Sequence, residues 1–137
     1  MARTDCLLVD TNVLLDVLQE DPEWADWSQY QLELAATRYS LQINPVIYAE
    51  LSSAFDQIED LEVVLDETGL QVAEIPREAL FLAGRIFLRY RRAGGRRSGV
   101  LPDFFIGAHA SVLGVPLLTR DRSRYPGYFP RLALITP

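Results

Sequence analysis

The sequence predicts an α/β layer fold with a largely parallel sheet, and three observations lead to this fold class. Short apolar segments of strand length alternate along the chain with longer segments of helical periodicity. The length of 137 residues fits a single domain, residues 1–137, and a hydrophobic share of 49% is enough for an apolar core. The sequence contains no internal repeat and no low-complexity segment apart from an Arg- and Gly-rich loop at residues 93–99.

The elements follow in order from these patterns. The predicted strands cover residues 6–9, 41–43, 70–75 and 116–119, with a further strand at 132–136. The predicted helices cover residues 12–19, 24–40, 45–60, 76–92 and 102–113, and residues 61–67 either extend the third helix or form another. Pro45, Pro76 and Pro102 each open a helix, where a missing N–H is tolerated, whereas Pro22 and Gly114 each close one.

Composition excludes several classes of protein. No apolar segment approaches the ~18–20 residues that a membrane span requires. Asp5 and Asp10 bracket the one early apolar segment, which is unlike a secretory signal. The single cysteine allows neither an internal disulfide nor a thiolate zinc site. We therefore expect a soluble, cytoplasmic protein without a membrane segment.

The charges divide unevenly along the chain. All 13 basic residues are arginine, and the formal net charge is −6. Residues 1–80 hold 17 acidic residues and three arginines, whereas residues 81–137 hold two acidic residues and ten arginines. Either the arginine-rich part forms a face that attracts phosphates or an acidic partner, or folding interleaves the two parts and cancels the field.

Four acidic residues stand where apolar side chains or loop ends are expected. Asp10 follows the first strand directly, and Asp121 lies two residues beyond the strand at 116–119. Ligands of open α/β sheets bind at the carboxyl ends of the strands. Asp103 lies in the first turn of its predicted helix, and Glu50 lies in an apolar helical stripe. That stripe consists of Ile47, Leu51, Ala54 and Ile58.

Each acid taken singly also has an ordinary interpretation, as a helix cap, a turn residue or the partner of an arginine. Taken together, they would repel one another at one edge of the sheet unless a cation neutralised them. Carboxylates without cysteine or paired histidine suit Mg²⁺ or Mn²⁺. For the other acids we expect solvated helix faces; examples are Asp16, Glu20, Asp56, Asp60, Glu62 and Glu67.

Other chemistries find little support in the sequence. The single histidine, His109, does not share a helix face with Asp103, so we interpret it as a structural or interface residue. The absence of lysine excludes a Walker phosphate loop. Metal-assisted hydrolysis of a phosphodiester remains, since carboxylate-held metal ions activate water and stabilise the departing oxygen.

Four segments, in order and with suitable spacing, resemble the motifs of PIN-domain ribonucleases over nearly the whole chain. They are residues 7–16 (LLVDTNVLLD), 44–51 (NPVIYAEL), 101–110 (LPDFFIGAHA) and 117–121 (LLTRD). The compact length and the third segment resemble the VapC-type toxins of bacterial toxin–antitoxin pairs. The resemblance implies a three-layer α/β/α sandwich with four to five strands and Mg²⁺- or Mn²⁺-dependent cleavage of RNA.

The resemblance also implies roles for individual residues. It assigns metal coordination and catalysis to Asp10, Glu50, Asp103 and Asp121. It suggests that Asn12, Thr119 and, less directly, Thr11 orient carboxylates or waters. It further implies a homodimer and a VapB-type antitoxin that covers the site.

The arginines keep three interpretations: contacts with RNA phosphates, contacts with acidic antitoxin residues, or a solvated face. The candidates for RNA or antitoxin binding are Arg85, Arg89, Arg92, Arg96, Arg97 and Arg120. Our expectation is a metal-dependent endoribonuclease of the toxin type. The alternative is a PIN-like module that binds RNA or a regulatory protein without cleaving.

Overall fold

A computed structural model describes residues 5–97 and 99–137, which contain five β-strands and six α-helices. The strands are β1 (Cys6–Val9), β2 (Ser40–Ile43), β3 (Gln71–Val72), β4 (Leu117–Leu118) and β5 (Leu134–Ile135). The helices are α1 (Thr11–Leu18), α2 (Ala25–Ala36), α3 (Pro45–Leu51), α4 (Ile58–Thr68), α5 (Arg77–Arg92) and α6 (Leu101–Leu113).

The sheet has the order β3-β2-β1-β4-β5, and all neighbouring strands pair in parallel. β1 lies at the centre, where Leu8 pairs with Gln42 on one side and with Leu117 on the other. Leu7, Leu8 and Val9 are successive residues and at most 1% exposed, so helices cover both faces of this strand. The predicted α/β/α class with a parallel sheet of four to five strands is confirmed.

Helix ends follow the chemistry of their flanking residues. The Asn44 side chain accepts a hydrogen bond from the Ile47 N–H at 2.9 Å and caps α3, which has proline in its first turn. Gly69 and Gly114 end α4 and α6 in the left-handed conformation, at φ of 73° and 67°. Glycine suits both positions because it has no Cβ that would clash there.

The helix predicted over residues 45–60 begins at Pro45 as expected, but its predicted end at residue 60 is wrong. α3 ends at Leu51, a 3₁₀ turn covers Ser52–Ala54, and residues 61–67 belong to the separate helix α4. The Ser52 and Ser53 hydroxyls donate to the carbonyls of Ala49 and Glu50 at 2.6 and 2.9 Å, and such local bonds compete with helix continuation. Consequently Ile58 does not extend the apolar stripe of α3 and is 63% exposed.

Other predicted boundaries differ by less. The helix predicted at 24–40 ends at Ala36, because Ser40 already pairs with β1 as the first residue of β2. The strands predicted at 70–75 and 132–136 are reduced to the two-residue strands β3 and β5 at the sheet edges. No helix in the described part of the chain is long and apolar enough to cross a membrane.

Helix α6 passes through the core and carries two buried contacts. Gly107 lies directly against the ring of Phe129, and a Cβ at position 107 would come within 2.4 Å of that ring. His109 is 1% exposed, and its Nδ1 lies 3.1 Å from Nδ2 of the capping residue Asn44. Burial lowers the pKa of His109 below its ordinary value of 6.5. These contacts hold α6 against the loop after β4 and against the start of α3.

We predict that Gly107→Ala lowers the free energy of unfolding by about 1–3 kcal/mol, because the added methyl group overpacks against Phe129. Gly127→Ala is the matched control: a Cβ there meets nothing within 4 Å, so stability should stay within about 0.5 kcal/mol of the original protein. Urea unfolding measures both changes. Equal stability of the two variants would contradict the close packing at Gly107.

We also predict that His109 makes the fold less stable as the pH falls below about 6.5. Because its pKa is lower in the folded state, the unfolded chain takes up a proton that the folded chain does not, which favours unfolding in acid. Urea unfolding from pH 7.5 to 5 measures the free energy of unfolding of the original protein and of His109→Gln. As the pH falls, this free energy should decrease more for the original protein than for His109→Gln. The comparison cancels other titrating groups, so a constant difference would refute the prediction.

Candidate active site

The candidate site lies at the carboxyl ends of the two central strands, β1 and β4. Asp10 follows β1 and Thr119 follows β4. The backbone N–H of Asp10 donates to the Leu118 carbonyl at 2.8 Å, so the strand register fixes these two chain segments side by side. This is the edge at which ligands of open α/β sheets bind.

Asp10 is the buried centre of the site and is 2% exposed. One of its carboxylate oxygens, Oδ1, accepts the Thr11 N–H at 2.8 Å and caps α1. The other, Oδ2, accepts the hydroxyls of Thr119 and Tyr125 at 2.8 Å each and an Asn12 N–H at 3.4 Å. Burial raises the pKa of Asp10, although these hydrogen bonds oppose the rise. The helix-capping bond and the bonds from Asn12, Thr119 and Tyr125 therefore use different oxygens of one side chain.

Thr11 connects Asp10 to Glu50. Its backbone N–H binds Asp10, and its hydroxyl donates to Glu50 Oε1 at 2.6 Å. Glu50 is half-buried and lies one residue before the end of α3. The start of α1 and the end of α3 thus hold two carboxylates on either side of one threonine.

Thr119 and Asn12 connect Asp10 to Asp121. The Thr119 hydroxyl donates to Asp10 and accepts the Asn12 side-chain N–H at 3.2 Å and the Asp121 backbone N–H at 3.1 Å. Asn12 Oδ1 in turn accepts the Arg120 backbone N–H at 3.2 Å. Asn12 and Thr119 therefore tie the loop after β4 to the buried carboxylate.

Arg124 connects Asp121 to Asp103. Its Nη1 lies 3.2 Å from Asp103 Oδ1, and its Nε lies 3.1 Å from Asp121 Oδ2. Asp103 stands in the first turn of α6, so this guanidinium bridges α6 and the loop after β4. Through Thr11, Thr119 and Arg124, a continuous series of contacts links all four predicted acids.

The pKa values show that the acids share one electrostatic field. Burial raises the pKa of Asp103 to about 6; Arg124 opposes this rise, and the charges of Asp10, Glu50 and Asp121 add to it. Asp121 behaves differently: burial would raise its pKa, but hydrogen bonds from its own turn and the charge of Arg124 lower it. Asp103 is thus the acid at which burial and the neighbouring negative charges act in the same direction.

The donor chemistry of the four carboxylates fits a divalent cation. All are hard oxygen ligands of the kind that Mg²⁺ and Mn²⁺ prefer. Burial is the main cause of the raised pKa of Asp103, and the neighbouring negative charges that add to it are ones that a cation would offset. Within residues 5–97 and 99–137, no three His, Cys, Asp or Glu side chains stand together as a formed metal site. Thr11, Thr119 and Arg124 stand between the carboxylates instead.

The six predicted arginines fall into four groups. Arg96 and Arg97 line an open cleft of about 860 Å³ together with Asp103, Asp121 and Arg124. Tyr90 holds this part of the chain, because its hydroxyl accepts the Arg97 backbone N–H at 2.9 Å. The structure thus brings two of the six predicted arginines beside the acids.

The remaining predicted arginines lie elsewhere. Arg85 and Arg89 line a neighbouring cavity, and Arg92 is exposed at the end of α5. Arg120 turns away from the cleft: its Nε donates to both oxygens of Asp16, at 3.0 and 2.8 Å. Asp16 is 3% exposed and also accepts the Ser28 hydroxyl at 2.8 Å. The expectation of a solvated face for Asp16 is wrong, because its buried carboxylate pairs with the partly exposed Arg120 and so joins α1 to the loop after β4.

Sequence reasoning did not single out Arg124 and Tyr125 as parts of the site. Arg124 belongs to the arginine-rich second part of the chain, for which RNA contacts, antitoxin contacts and a solvated face all stayed open, and Tyr125 lies in a loop with no periodicity to indicate its burial. The structure buries Tyr125 to 1% exposure with its hydroxyl on Asp10. The one available signal was their position, three and four residues after Asp121.

Comparison with known proteins agrees with this architecture. No relative is found among curated proteins. Among solved structures, the chain is similar to one in VapBC2 from Rickettsia felis bound to a promoter DNA fragment, with a TM-score of 0.71, 21% identity and coverage of 96% and 98% of the two chains. It is also similar to a chain in a toxin–antitoxin complex from Klebsiella pneumoniae, with a TM-score of 0.67 and 22% identity. A chain in VapBC-1 from nontypeable Haemophilus influenzae matches with a TM-score of 0.71 and 17% identity. Both matches cover 96% of this chain and 97% of the other.

A family model supplies the assignment that these low identities cannot. The model of the PIN domain matches residues 7–128, which include the four acids and every element from β1 to α6 and β4. The chain belongs to the PIN domain family.

Proposed function

We propose that this protein is a divalent-metal-dependent endoribonuclease, the VapC-type toxin of a toxin–antitoxin pair, which hydrolyses RNA phosphodiester bonds. The observation that carries the proposal is the linked set of four carboxylates at the carboxyl ends of β1 and β4. Their clustered negative charge favours a cation, and their oxygens suit Mg²⁺ or Mn²⁺. The family assignment and the similarity to VapBC structures support the same activity.

In this proposal Asp10, Glu50, Asp103 and Asp121 hold the metal, directly or through water. The bound cation would lower the pKa of a water molecule and stabilise negative charge on the departing oxygen. The protein contributes orientation: Thr119 and Tyr125 fix one oxygen of Asp10, and Thr11 fixes Glu50. Such contacts hold the carboxylates in place before substrate arrives, which reduces the reorganisation needed during the reaction.

The cleft beside the acids supplies attraction for the substrate. Arg96, Arg97 and Arg124 line it, so a phosphate bound there would meet guanidinium groups next to the carboxylates. Guanidinium forks bind phosphate oxygens in pairs, and the attraction weakens with salt. This arrangement favours RNA contacts for Arg96 and Arg97 over a purely solvated role.

The proposed partners are a VapB-type antitoxin and a second copy of the chain. The similar solved structures include toxin–antitoxin complexes, and an antitoxin that covers the acidic site would keep the nuclease inactive. The exposed apolar residues Leu80, Phe81 and Leu88 on α5 are compatible with a homodimer. The cytoplasm, where RNA is available, is the proposed location.

We predict that Asp10→Asn and Asp103→Asn each reduce RNA cleavage by about 100-fold or more, since each removes a negative charge from the proposed metal site. Asp66→Asn, at an exposed position of α4, is the matched control and should cleave like the original protein. Initial rates on total RNA with Mn²⁺ or Mg²⁺ measure the effect. Circular dichroism checks that each variant is folded.

Cleavage that persists in folded Asp10→Asn and Asp103→Asn would rule out this site. The alternative, a non-cleaving module that binds RNA or a regulatory protein, predicts RNA binding that is unchanged by EDTA and no measurable affinity for Mn²⁺. Calorimetric titration with Mn²⁺ separates the two functions, because the nuclease requires the ion and the binding module does not.

We predict that Tyr125→Phe lowers cleavage by about 10–100-fold, the usual effect of losing a hydrogen bond that orients a metal-binding carboxylate. The lost hydroxyl donates to Asp10 Oδ2 at 2.8 Å. Tyr48→Phe is the control, because it removes a hydroxyl that donates to an exposed carboxylate, Glu62, at 2.7 Å. Full activity of Tyr125→Phe would show that Asp10 does not depend on this bond.

A further inference from the structure

We propose that Arg124 is a built-in counter-ion that a divalent cation must displace, so that this residue sets the metal affinity of the site. The inference rests on the proposed function, because it concerns the same carboxylates. The four sequence motifs do not include position 124 and predict no positively charged side chain there. The contacts, the turn that carries Arg124 and the adjoining cleft together support it.

One guanidinium occupies oxygens from two acids that are distant in sequence. Arg124 Nη1 binds Asp103 Oδ1 and Nε binds Asp121 Oδ2, at 3.2 and 3.1 Å. Within the described residues, no other ion pair reaches any of the four acids. A metal ion held by Asp103 and Asp121 would approach the same two carboxylates, and the positive guanidinium beside them would repel it. Arg124 and the cation therefore compete.

The guanidinium is not required to orient Asp121. The other oxygen of Asp121, Oδ1, accepts the N–H and hydroxyl of Ser123 at 3.1 and 3.0 Å and the backbone N–H of Arg124 at 3.1 Å. These bonds remain when the Arg124 side chain is removed. Asp103 is held by the first turn of α6, next to the buried Phe104. Substitution at Arg124 thus changes the charge of the site more than the placement of its acids.

The ion pairs are also weak enough to be replaced. Their side chains are 39% exposed for Arg124, 20% for Asp103 and 29% for Asp121, and partly exposed pairs contribute little net stability. A divalent ion carries twice the charge of a guanidinium and attracts the same carboxylates more strongly. A divalent cation can therefore displace Arg124 from the two carboxylates without unfolding the site.

A displaced Arg124 remains useful because of where it stands. It lines the same open cleft of about 860 Å³ as Arg96 and Arg97. Released from the acids, its guanidinium would join those two as a third group able to bind a phosphate oxygen. Metal binding would in this way add positive charge to the substrate side of the cleft.

The test is calorimetric titration of the EDTA-treated full-length protein with Mn²⁺. We expect Arg124→Gln to bind Mn²⁺ about 10-fold more tightly than the original protein, within the roughly 5–150-fold range typical of coupled equilibria. Arg122→Gln and Arg131→Gln remove the same charge from exposed positions near the site and at the C-terminal end, and should bind within about 2-fold of the original protein. Arg124→Lys keeps the positive charge but lacks the forked guanidinium. Its Mn²⁺ affinity should lie between those of Arg124→Gln and the original protein.

Thermal unfolding provides a second readout that does not involve cleavage. Without its counter-ion, Arg124→Gln should melt at a lower temperature than the original protein in EDTA, because the acids repel one another. Saturating Mn²⁺ should raise its Tm by more than it raises that of the original protein, since tighter binding stabilises the folded state more. Arg122→Gln should show neither change.

Unchanged or weaker Mn²⁺ binding by folded Arg124→Gln, with normal binding by the original protein, would overturn the counter-ion inference and leave the proposed nuclease intact. Failure of the original protein and all variants to bind Mn²⁺ would overturn both. An equal gain in affinity for Arg122→Gln would also count against the inference, because it would indicate a general charge effect rather than competition at Asp103 and Asp121.

Discussion

Repulsion between carboxylates at one edge of a sheet is the constraint on which the site depends. Parallel pairing of β1 with both β2 and β4 places the ends of these strands together, and Asp10 stands at the centre of that edge. Burying an unpaired carboxylate is unfavourable, so every close approach of acids here requires donors or positive charge. Hydroxyls from Thr11, Thr119 and Tyr125 supply the donors, and Arg124 supplies the charge.

The hydroxyl donors and the Arg124 guanidinium differ in how far they leave a carboxylate able to bind a cation. A hydroxyl bonded to a carboxylate orients it without cancelling its charge, and Asp10 Oδ1, which accepts a single hydrogen bond, keeps a lone pair for a cation. A guanidinium offsets the charge of the carboxylate and occupies one of its oxygens. In the proposed metal site, Asp10 is therefore oriented before a cation binds, whereas Asp103 and Asp121 would bind a cation fully only after Arg124 moves.

The sequence predicted the parts of the structure that follow local periodicity. The strand before Asp10, the strand before Asp121 and the class of the sheet were all evident from apolar segments and their order. It did not predict the end of α3, where serine hydroxyls compete for backbone carbonyls, because that competition depends on side-chain conformation. Asp16 and Tyr125 were missed because their burial depends on partners more than 100 residues away in the chain.

The uneven charge of the sequence persists locally after folding. Of the three ion pairs in the described residues, Arg120–Asp16 alone joins the acid-rich first part to the arginine-rich second part. Folding therefore does not pair the two charge excesses with each other, and Arg96 and Arg97 keep their charge at the mouth of the cleft. A phosphate approaching within a Debye length, about 8 Å at physiological salt, responds to these nearby charges more than to the net charge of −6. This local positive charge is what allows the proposed RNA substrate to approach a protein that is acidic as a whole.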